Sequence, residues 1–199
     1  MSSTPRTVKD ESVQSRGEHT RALIVEASRR LFLERGYAGT TVNAVTDACG
    51  ISQPGFYTYF KDKREVFAFL GDAAYRDIRA VLRLWDSYPL PYRLADVEQF
   101  VCAYFAFMDQ HGAFVVASTY SAPDDEQFRR ARARMQSRVA WILGQAITRN
   151  GGAHPPEVVG AAVNGMLDQG WFAVQQRSVA GDESEMVAVL ADMIHRMST

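Results

Sequence analysis

The chain has 199 residues, of which 47% are hydrophobic and 23% are charged, and its formal net charge is −1, a composition that predicts a folded globular protein and argues against extensive disorder. No apolar run has the length of a signal peptide or a membrane span, so we expect a cytoplasmic protein with no membrane partner. Residues 1–66 carry ten Lys or Arg against eight Asp or Glu, and the remainder carries twelve against fifteen, a mild asymmetry that suits an amino-terminal part facing nucleic acid.

The first third of the chain predicts a polar tail followed by two helices. Residues 1–17 lack apolar periodicity and predict a mobile tail. Apolar residues at helical spacing then predict a helix over 18–35. Thr40 and Thr41 suit the start of a second, shorter helix, which is predicted to end before the turn at Gly50.

A third helix is predicted directly after this turn, with Ser52 as its N-cap. Phe56 and Phe60 are four residues apart, so on a helix they share one face and can be buried together with Val45 and Ile51. Two short helices joined by a glycine-containing turn, behind a longer supporting helix, form a helix-turn-helix.

The rest of the chain is also predicted to be helical, because no segment alternates convincingly at a period of two. Asp62 is predicted to cap a long helix that begins near Lys63 and ends at about Trp85, and that can connect the helix-turn-helix rigidly to the carboxyl-terminal part of the chain. The later helices are predicted at residues 93–111 and 113–120, from a capping box at 121–124 to about Asn150, from Pro155-Pro156 to about Arg177, and after a capping box at 182–185. The predicted fold class is all-α, with about nine helices.

Seven short motifs occur in order in residues 24–67: Ala27 with Leu31-Phe32, Gly36-Tyr37, Thr40-Thr41-Val42, Cys49-Gly50-Ile51-Ser52, Phe56-Tyr57, Tyr59-Phe60 and Lys63-Arg64-Glu65. In this order and spacing they resemble the DNA-binding domain of the TetR family of bacterial transcription regulators. The resemblance implies a DNA-binding domain over residues 18–66. It also implies a second domain over 67–199 that pairs two subunits and encloses a pocket for a small-molecule effector.

The predicted DNA-binding residues lie in and around the third helix. Gln53 is a long amide that can pair with adenine, and Gly55 lets the backbone lie close to the DNA. Many family members have glycine followed by a small hydroxyl residue where this chain has Pro54-Gly55. The pair lacks that hydroxyl readout group and offers the proline ring to a thymine methyl. The hydroxyls of Tyr57 and Tyr59 suit phosphate contacts, which position the protein without reading sequence. The resemblance implies phosphate contacts for Tyr57, Thr40, Thr41 and Lys63, and Ser52, Thr58 and Lys61 complete the predicted set.

The carboxyl-terminal part is predicted to bind a ligand and to form a homodimer. Aromatic residues favour a mostly apolar cavity, although any one of them is better explained as core. The predicted ligand-binding residues are Trp85, Tyr104, Phe105, Met108, Tyr120, Trp141 and Trp171, with Asp109 and Gln145 as polar candidates. Apolar and small residues on the last two helices predict a four-helix interface, whose predicted members are Val159, Ala162, Met166, Leu167, Val174, Val189, Leu190 and Met193. A two-fold dimer would bind a roughly palindromic operator in double-stranded DNA.

An enzyme is not predicted, because GxSxG, HExxH, P-loop and GxGxxG motifs are absent and the four histidines are scattered without metal-ligand spacing. No catalytic, metal or cofactor site is expected, and Cys49 and Cys102 are predicted to be reduced thiols in a core. The arginines of residues 129–138 are interpreted as an ion-paired helix surface. The sequence therefore favours a ligand-responsive regulator, and a repressor over an activator. A helical-bundle carrier or sensor of hydrophobic molecules that does not regulate DNA directly is the alternative.

Overall fold

The computed structural model describes residues 8–120, 125–151 and 154–198. All regular elements in this part of the chain are helical, which confirms the all-α prediction. The α-helices are α1 (Val8–Gly39), α2 (Val42–Cys49), α3 (Gln53–Tyr57), α4 (Lys63–Leu82), α5 (Leu94–Tyr120), α6 (Glu126–Ile147), α7 (Pro156–Gln175) and α8 (Glu183–Ser198). A short 3-10 helix, Arg83–Ser87, comes directly after α4.

The chain forms two compact units. The first contains the described residues up to Gly71 together with the end of α5 from Val116. The second contains Asp72–Val115 and the described residues after 124. The first unit therefore holds α1, α2, α3 and the start of α4, and the second holds α6, α7, α8 and most of α5.

Helix α1 begins at Val8, well before the predicted start at Glu18. Residues 8–17 are therefore helical where the sequence predicted a tail, and residues 1–7 of that predicted tail lie outside the described part. Gly36 has φ 68° and ψ 173°, a conformation that interrupts the helix and that glycine adopts without a steric penalty. This interruption comes directly after residue 35, where the sequence predicted the end of the first helix.

One buried apolar cluster holds the first unit together. Its fully or nearly buried members are Ile24, Ala27, Leu31, Val45, Phe56, Phe60 and Val66. These residues come from α1, α2, α3, the turn after α3 and the start of α4, so burial of their side chains fixes the short helices against the longer one.

Helix α5 is continuous where the sequence predicted a break at Gly112. A Cβ atom at Gly112 would lie 2.4 Å from Cη2 of Trp171 on α7. The indole N–H of Trp171 also donates a hydrogen bond to Oδ1 of Asp109 at 2.8 Å. The glycine thus provides space for a tryptophan of the neighbouring helix, and it does not end its own helix.

Helices α6 and α7 pack through backbone contacts at glycines. A Cβ atom at Gly144 of α6 would lie 1.7 Å from the Pro156 carbonyl oxygen, and one at Gly160 of α7 would lie 1.8 Å from that of Ala140. Any larger residue at either glycine would force α6 and α7 apart, because backbone atoms cannot move aside as a flexible side chain can.

The starts of α6 and α8 are fixed by capping side chains. The carboxylate of Asp125 accepts hydrogen bonds from two backbone N–H groups in the first turn of α6, and the capping box predicted at 121–124 lies outside the described residues. At α8 the predicted capping box is confirmed. The Asp182 N–H donates to Glu185 Oε2 at 3.1 Å, and the Glu185 N–H donates to Asp182 Oδ1 at 2.9 Å.

Helix α5 corrects the expectation that no apolar run reaches membrane length. It has 27 residues and a window of mean hydropathy 1.3, which is long and apolar enough to cross a membrane by composition alone. Within the protein, 61% of that window is buried. A mostly buried core helix satisfies the same test, so this helix is weak evidence for a membrane span.

Candidate nucleic-acid interface

Local caps fix the turn between α2 and α3. Thr41 precedes α2, and its side-chain oxygen accepts a hydrogen bond from the Ala44 N–H at 3.1 Å. Gly50 ends α2 with φ 67° and ψ 30°, the left-handed conformation that glycine adopts most readily. Ser52 precedes α3, and its Oγ accepts a hydrogen bond from the Gly55 N–H at 3.2 Å. The helix-turn-helix geometry therefore depends on residues within one short stretch of sequence.

Buried phenylalanines hold α3 in place. Phe56 is 0% exposed and Phe60 is 2% exposed, and their ring centroids lie 6.1 Å apart. Val45 is buried with them, and Ile51 packs against the same cluster. As the sequence predicted, these four residues form the small core of the helix-turn-helix, which leaves the other face of α3 for a partner.

The exposed face of α3 carries Gln53, Pro54 and Tyr57. The Tyr57 side chain is 54% exposed, and its ring stands edge-on to Phe56 with centroids 5.5 Å apart. The side-chain amide of Gln53 donates a hydrogen bond to the side-chain oxygen of Asn43 on α2. Asn43 is exposed and was not predicted, because its role beside Gln53 depends on how the two helices pack.

The remaining predicted residues around α3 differ in their exposure. A Cβ atom at Gly55 would lie 3.3 Å from the Ser52 side chain, so the glycine leaves room for the oxygen that caps α3. Thr58 is exposed, and its hydroxyl donates to a backbone carbonyl one turn earlier at 3.1 Å. Tyr59 is half-buried against the core cluster, whereas Lys61 is exposed. Thr58 and Lys61 can therefore meet a DNA backbone more readily than Tyr59 can.

Thr40 is fully buried, which corrects its assignment as a phosphate contact. Its Oγ1 lies 2.8 Å from the Gly36 carbonyl oxygen and 3.1 Å from that of Leu31. These carbonyls belong to the last turns of α1, where the chain changes direction at Gly36. The Thr40 hydroxyl therefore stabilises the end of α1 and is not accessible to solvent.

Lys63 also faces the protein, contrary to its predicted phosphate contact. Its ammonium group donates to the carbonyl oxygens of Tyr37 and Thr40, both at 2.8 Å, and lies 4.4 Å from the centre of the Tyr37 ring. Burial lowers the pKa of Lys63 below its usual value. Two of its three donors are thus used inside the first unit.

The seven predicted ligand-binding residues do not meet at one site. Five of them are at most 7% exposed and belong to the core: Trp85, Tyr104, Phe105, Met108 and Trp171. Tyr120 is 80% exposed at the end of α5, and Trp141 is 48% exposed on α6. Burial in a packed core is the alternative that the sequence already favoured for each aromatic residue taken singly.

Two of the seven, Trp85 and Trp141, line a groove with a volume of about 260 Å³ in the second unit. We call it the α4–α6 groove because its walls come from the end of α4, the adjoining 3-10 helix, and α6 with the residues after it. Its main polar and aromatic lining residues are Arg79, Arg83, Trp85, Trp141, Gln145 and Arg149. The three arginines were not predicted, because they carry no motif and only the packing of the helices brings them beside Trp141.

Tyr104 belongs to a buried polar cluster that the sequence did not reveal. Its hydroxyl donates to Asp168 Oδ1 at 2.6 Å, and the Asn164 side chain donates to Asp168 Oδ2 at 3.1 Å. Burial raises the pKa of Asp168 to about 6, although both hydrogen bonds act to lower it. Burial also raises the pKa of Tyr104 well above its ordinary value. The partners come from α5 and α7, so only the packing of these helices brings them together.

The predicted dimer interface divides into buried and exposed residues. Val159, Leu167 and Leu190 are at most 7% exposed and pack inside the protomer, so their assignment to an interface is corrected. Met166 and Val174 are half-buried, whereas Ala162, Val189 and Met193 are exposed. Val158, at 58% exposed, joins the exposed group. The helical periodicity identified two apolar helices, but it did not show which of their residues are buried in the protomer and which are exposed.

In the described part of the chain, no group of three or more His, Cys, Asp or Glu residues could hold a metal ion. Cys49 is half-buried and burial raises the pKa of its thiol, while Cys102 is exposed, so the prediction of a core thiol is wrong for Cys102. Glu126 pairs with Arg129 at 2.9 Å and with Arg130 at 2.7 Å, as expected for an ion-paired helix surface.

Comparison with known sequences supports the assignment of the amino-terminal part. A sequence model of the family described as "Bacterial regulatory proteins, tetR family" matches residues 24–69. The HTH-type transcriptional repressor AcnR of Corynebacterium efficiens is 40% identical over 67 residues, which cover 33% of each chain. The HTH-type transcriptional regulator YerO of Bacillus subtilis is 45% identical over 40 residues, which cover 20% of this chain and 14% of YerO. The chain thus matches at most about a third of the length of these curated relatives.

Comparison with solved structures extends the likeness over most of the chain. The fatty acid degradation regulator FadR from Bacillus halodurans superposes with a TM-score of 0.64 at 13% identity, covering 88% of this chain and 94% of FadR. A transcriptional regulator from Aquifex aeolicus superposes with a TM-score of 0.61 at 20% identity, covering 89% and 96% of the two chains. At these identities the likeness establishes the fold, in which an amino-terminal helix-turn-helix precedes a larger helical part.

Proposed function

We propose that this chain, whose residues 24–69 match the TetR family of bacterial regulatory proteins, is a sequence-specific DNA-binding transcription regulator. We further propose that it acts as a homodimeric repressor whose operator binding responds to a small molecule in the second unit. In this proposal residues 18–66 form the DNA-binding domain, and residues 67–199 bind the effector and the second subunit.

The observation that carries this proposal is the exposed face of α3. The side chains of Phe56 and Phe60 are buried and hold the helix in place, while Gln53, Pro54 and Tyr57 are exposed to solvent. A protein that only carried hydrophobic molecules would have no use for a rigidly held helix with this polar and aromatic surface. A recognition helix that enters the major groove needs both features.

We assign a different role to each exposed residue of the interface. Gln53 can pair with an adenine edge, and Asn43 orients its amide until DNA replaces that hydrogen bond. The phenol of Tyr57 and the exposed ammonium of Lys61 suit phosphate oxygens. Thr41 accepts a backbone hydrogen bond, and its hydroxyl hydrogen is still able to donate to a phosphate.

Pairing of two chains would place two α3 helices on one DNA. Val158 and Ala162 of α7, with Val189 and Met193 of α8, present apolar side chains to solvent. A Cβ atom at Gly165 would meet no other atom within 4 Å in the protomer, so a second chain could approach closely there. Such a face matches a symmetric four-helix interface, and two-fold symmetry implies an operator with inverted half-sites.

Regulation by an effector is the remaining part of the proposal. Helix α4 runs without a break from Lys63 to Leu82, so residues of both units share one helix. We propose that an effector in the second unit acts through α4 to favour a spacing of the two α3 helices that no longer fits successive major-groove faces, which are about 34 Å apart. Effector binding would then release the operator.

Selection of bound duplexes from a randomised DNA pool tests this function. The purified protein, near physiological salt, should enrich an inverted repeat whose half-sites lie about one helical turn apart. A folded, dimeric protein that enriches no sequence would leave the carrier function as the better account.

A further inference from the structure

The α4–α6 groove carries an excess of positive charge. Arg79, Arg83 and Arg149 line it together with a single carboxylate, Asp86. Arg149 pairs with Asp86 at 3.1 Å between Nη2 and Oδ1, and both side chains remain largely exposed. Within the described part of the chain, the structure gives Arg83 no carboxylate partner. The groove therefore keeps two uncompensated guanidinium groups in a chain whose net charge is −1.

Trp85, which lines the same groove, has an unsatisfied hydrogen-bond donor. Its side chain is 1% exposed, and its indole N–H has no acceptor among the described residues. A buried donor without a partner is unfavourable, and native proteins satisfy most such groups. The contrast with Trp171 is direct, because the Trp171 indole N–H donates to Asp109 at 2.8 Å.

The other faces of the groove suit a flat apolar group. Trp141 is 48% exposed and presents an indole ring at the edge of the groove, where Leu82 and Ile142 add apolar surface. Exposed tryptophan rings are favourable stacking partners for planar groups. A volume of about 260 Å³ is at the small end for ligand sites, so the occupant must be compact.

From these features we infer that the α4–α6 groove binds a small organic anion, a carboxylate or a phosphate attached to a flat aromatic body. The guanidinium groups of Arg79 and Arg83 hold the anionic group, since arginine presents several donors to planar and tetrahedral anions. The Trp85 indole N–H supplies a further donor, and the aromatic body lies against Trp141. That this anion is the effector rests on the proposed function, whereas binding of the anion does not.

Calorimetric titration of the whole protein without DNA tests the chemical class. The probes are 2-naphthoate and 2-naphthyl phosphate, which distinguish the two anionic sources, and the neutral isostere 2-naphthamide. At least one anion should bind once per chain at concentrations up to about 1 mM, and the amide should bind at least about fivefold more weakly. Arg83→Gln should weaken binding of the anion by a similar factor. Arg134 is an exposed arginine elsewhere on α6, and Arg134→Gln should leave the affinity for the anion unchanged.

The three tryptophans give a readout that locates the site. In nitrogen–proton NMR spectra, assigned with single Trp→Phe variants, the bound anion should shift the indole signals of Trp85 and Trp141. The Trp171 indole signal should keep its position, because the Trp171 N–H already donates to Asp109. Equal affinity for naphthoate and naphthamide, absence of binding by both anions, or a shift confined to Trp171 would each overturn the inference.

A second titration separates the groove from its regulatory role. If the anion binds and lowers the affinity of the protein for its selected operator, the groove is the effector site. If the anion binds with the expected indole shifts but operator affinity is unchanged, the binding site stands and the effector role is overturned. Failure of DNA selection in a protein that still binds the anion would count against the proposed function alone.

Discussion

The ammonium group of Lys63 lies 2.8 Å from the Tyr37 carbonyl oxygen and 4.4 Å from the centre of the Tyr37 ring. A second hydrogen bond joins it to the Thr40 carbonyl at 2.8 Å. Lys63 begins α4, and these carbonyls come just after the break in α1 at Gly36. One side chain thus ties the start of α4 to the end of α1, which makes Lys63 a structural residue of the first unit.

Replacing Lys63 should therefore lower the stability of the folded protein. We expect Lys63→Ala to reduce the free energy of unfolding by about 1–2 kcal/mol, since it leaves two carbonyls without a charged donor at a half-exposed site. Urea denaturation followed by circular dichroism measures this change. Lys61→Ala is the matched control, because its exposed ammonium should affect stability by less than about 0.5 kcal/mol. If Lys63→Ala is as stable as the wild type, the structural role is wrong and the predicted phosphate contact is the better explanation.

The Gly112 site predicts a large effect from one methyl group. In Gly112→Ala the new Cβ would lie 2.4 Å from the Trp171 ring, so we expect a loss of about 1–3 kcal/mol in unfolding free energy despite the higher helix propensity of alanine. The displaced ring should also alter the near-ultraviolet circular dichroism of the protein. Gly17→Ala in α1 is the control, because a Cβ there makes only ordinary contacts, the nearest at 3.7 Å. Equal stability of the two variants would contradict the close packing of α5 against Trp171.

Asp168 predicts a pH dependence of stability. Its pKa in the folded protein is raised to about 6, above the value near 4 expected in the unfolded chain, so the folded state holds the extra proton between these values. This stabilisation is complete below about pH 4 and is lost as the pH rises through 6. Relative to Asp168→Asn, the wild-type protein should therefore lose about 2 kcal/mol between pH 4 and pH 7.

Thermal or urea unfolding of both proteins across this pH range measures the difference. A difference between wild type and Asp168→Asn that stays constant with pH would show that Asp168 is ionised in the fold throughout.

The exposed apolar face of α7 and α8 predicts the oligomeric state. Val189 is 56% exposed in the protomer, so Val189→Glu should leave the fold intact and weaken dimerisation by about 30-fold or more. Analytical ultracentrifugation over a range of concentrations measures the change. Val179→Glu is the control, since Val179 is exposed in the loop before α8. If both variants dimerise like the wild type, the pairing surface lies elsewhere.

Much of the first unit could be predicted because its determinants are local. The Ser52 cap, the Gly50 turn and the Phe56–Phe60 pair all depend on residues within a few positions of one another, and each was recognised from residue type or spacing. Thr40 and Lys63 were misassigned because motif position does not say which way a side chain faces. Their inward orientation depends on backbone carbonyls at and after the end of α1, some of them more than twenty residues away in sequence.

The second unit was less predictable because its sites combine distant residues. Gly112 was predicted to interrupt a helix, but in the structure it leaves space for the ring of Trp171 on another helix. The Tyr104–Asp168 pair spans α5 and α7, and the α4–α6 groove joins Arg83 to Arg149. Periodicity identifies which helices are apolar, but it does not show which helices meet or which of their faces remains exposed.

The central claim, sequence-specific recognition by α3, is tested most directly by competition between the selected operator and a shuffled duplex of the same composition. At physiological salt the operator should bind about 1,000-fold more tightly or better. Gln53→Ala should reduce this ratio by about tenfold or more, and Tyr57→Phe should weaken both duplexes equally. A ratio near one, or a ratio that Gln53→Ala leaves unchanged, would contradict recognition of the operator through this face of α3.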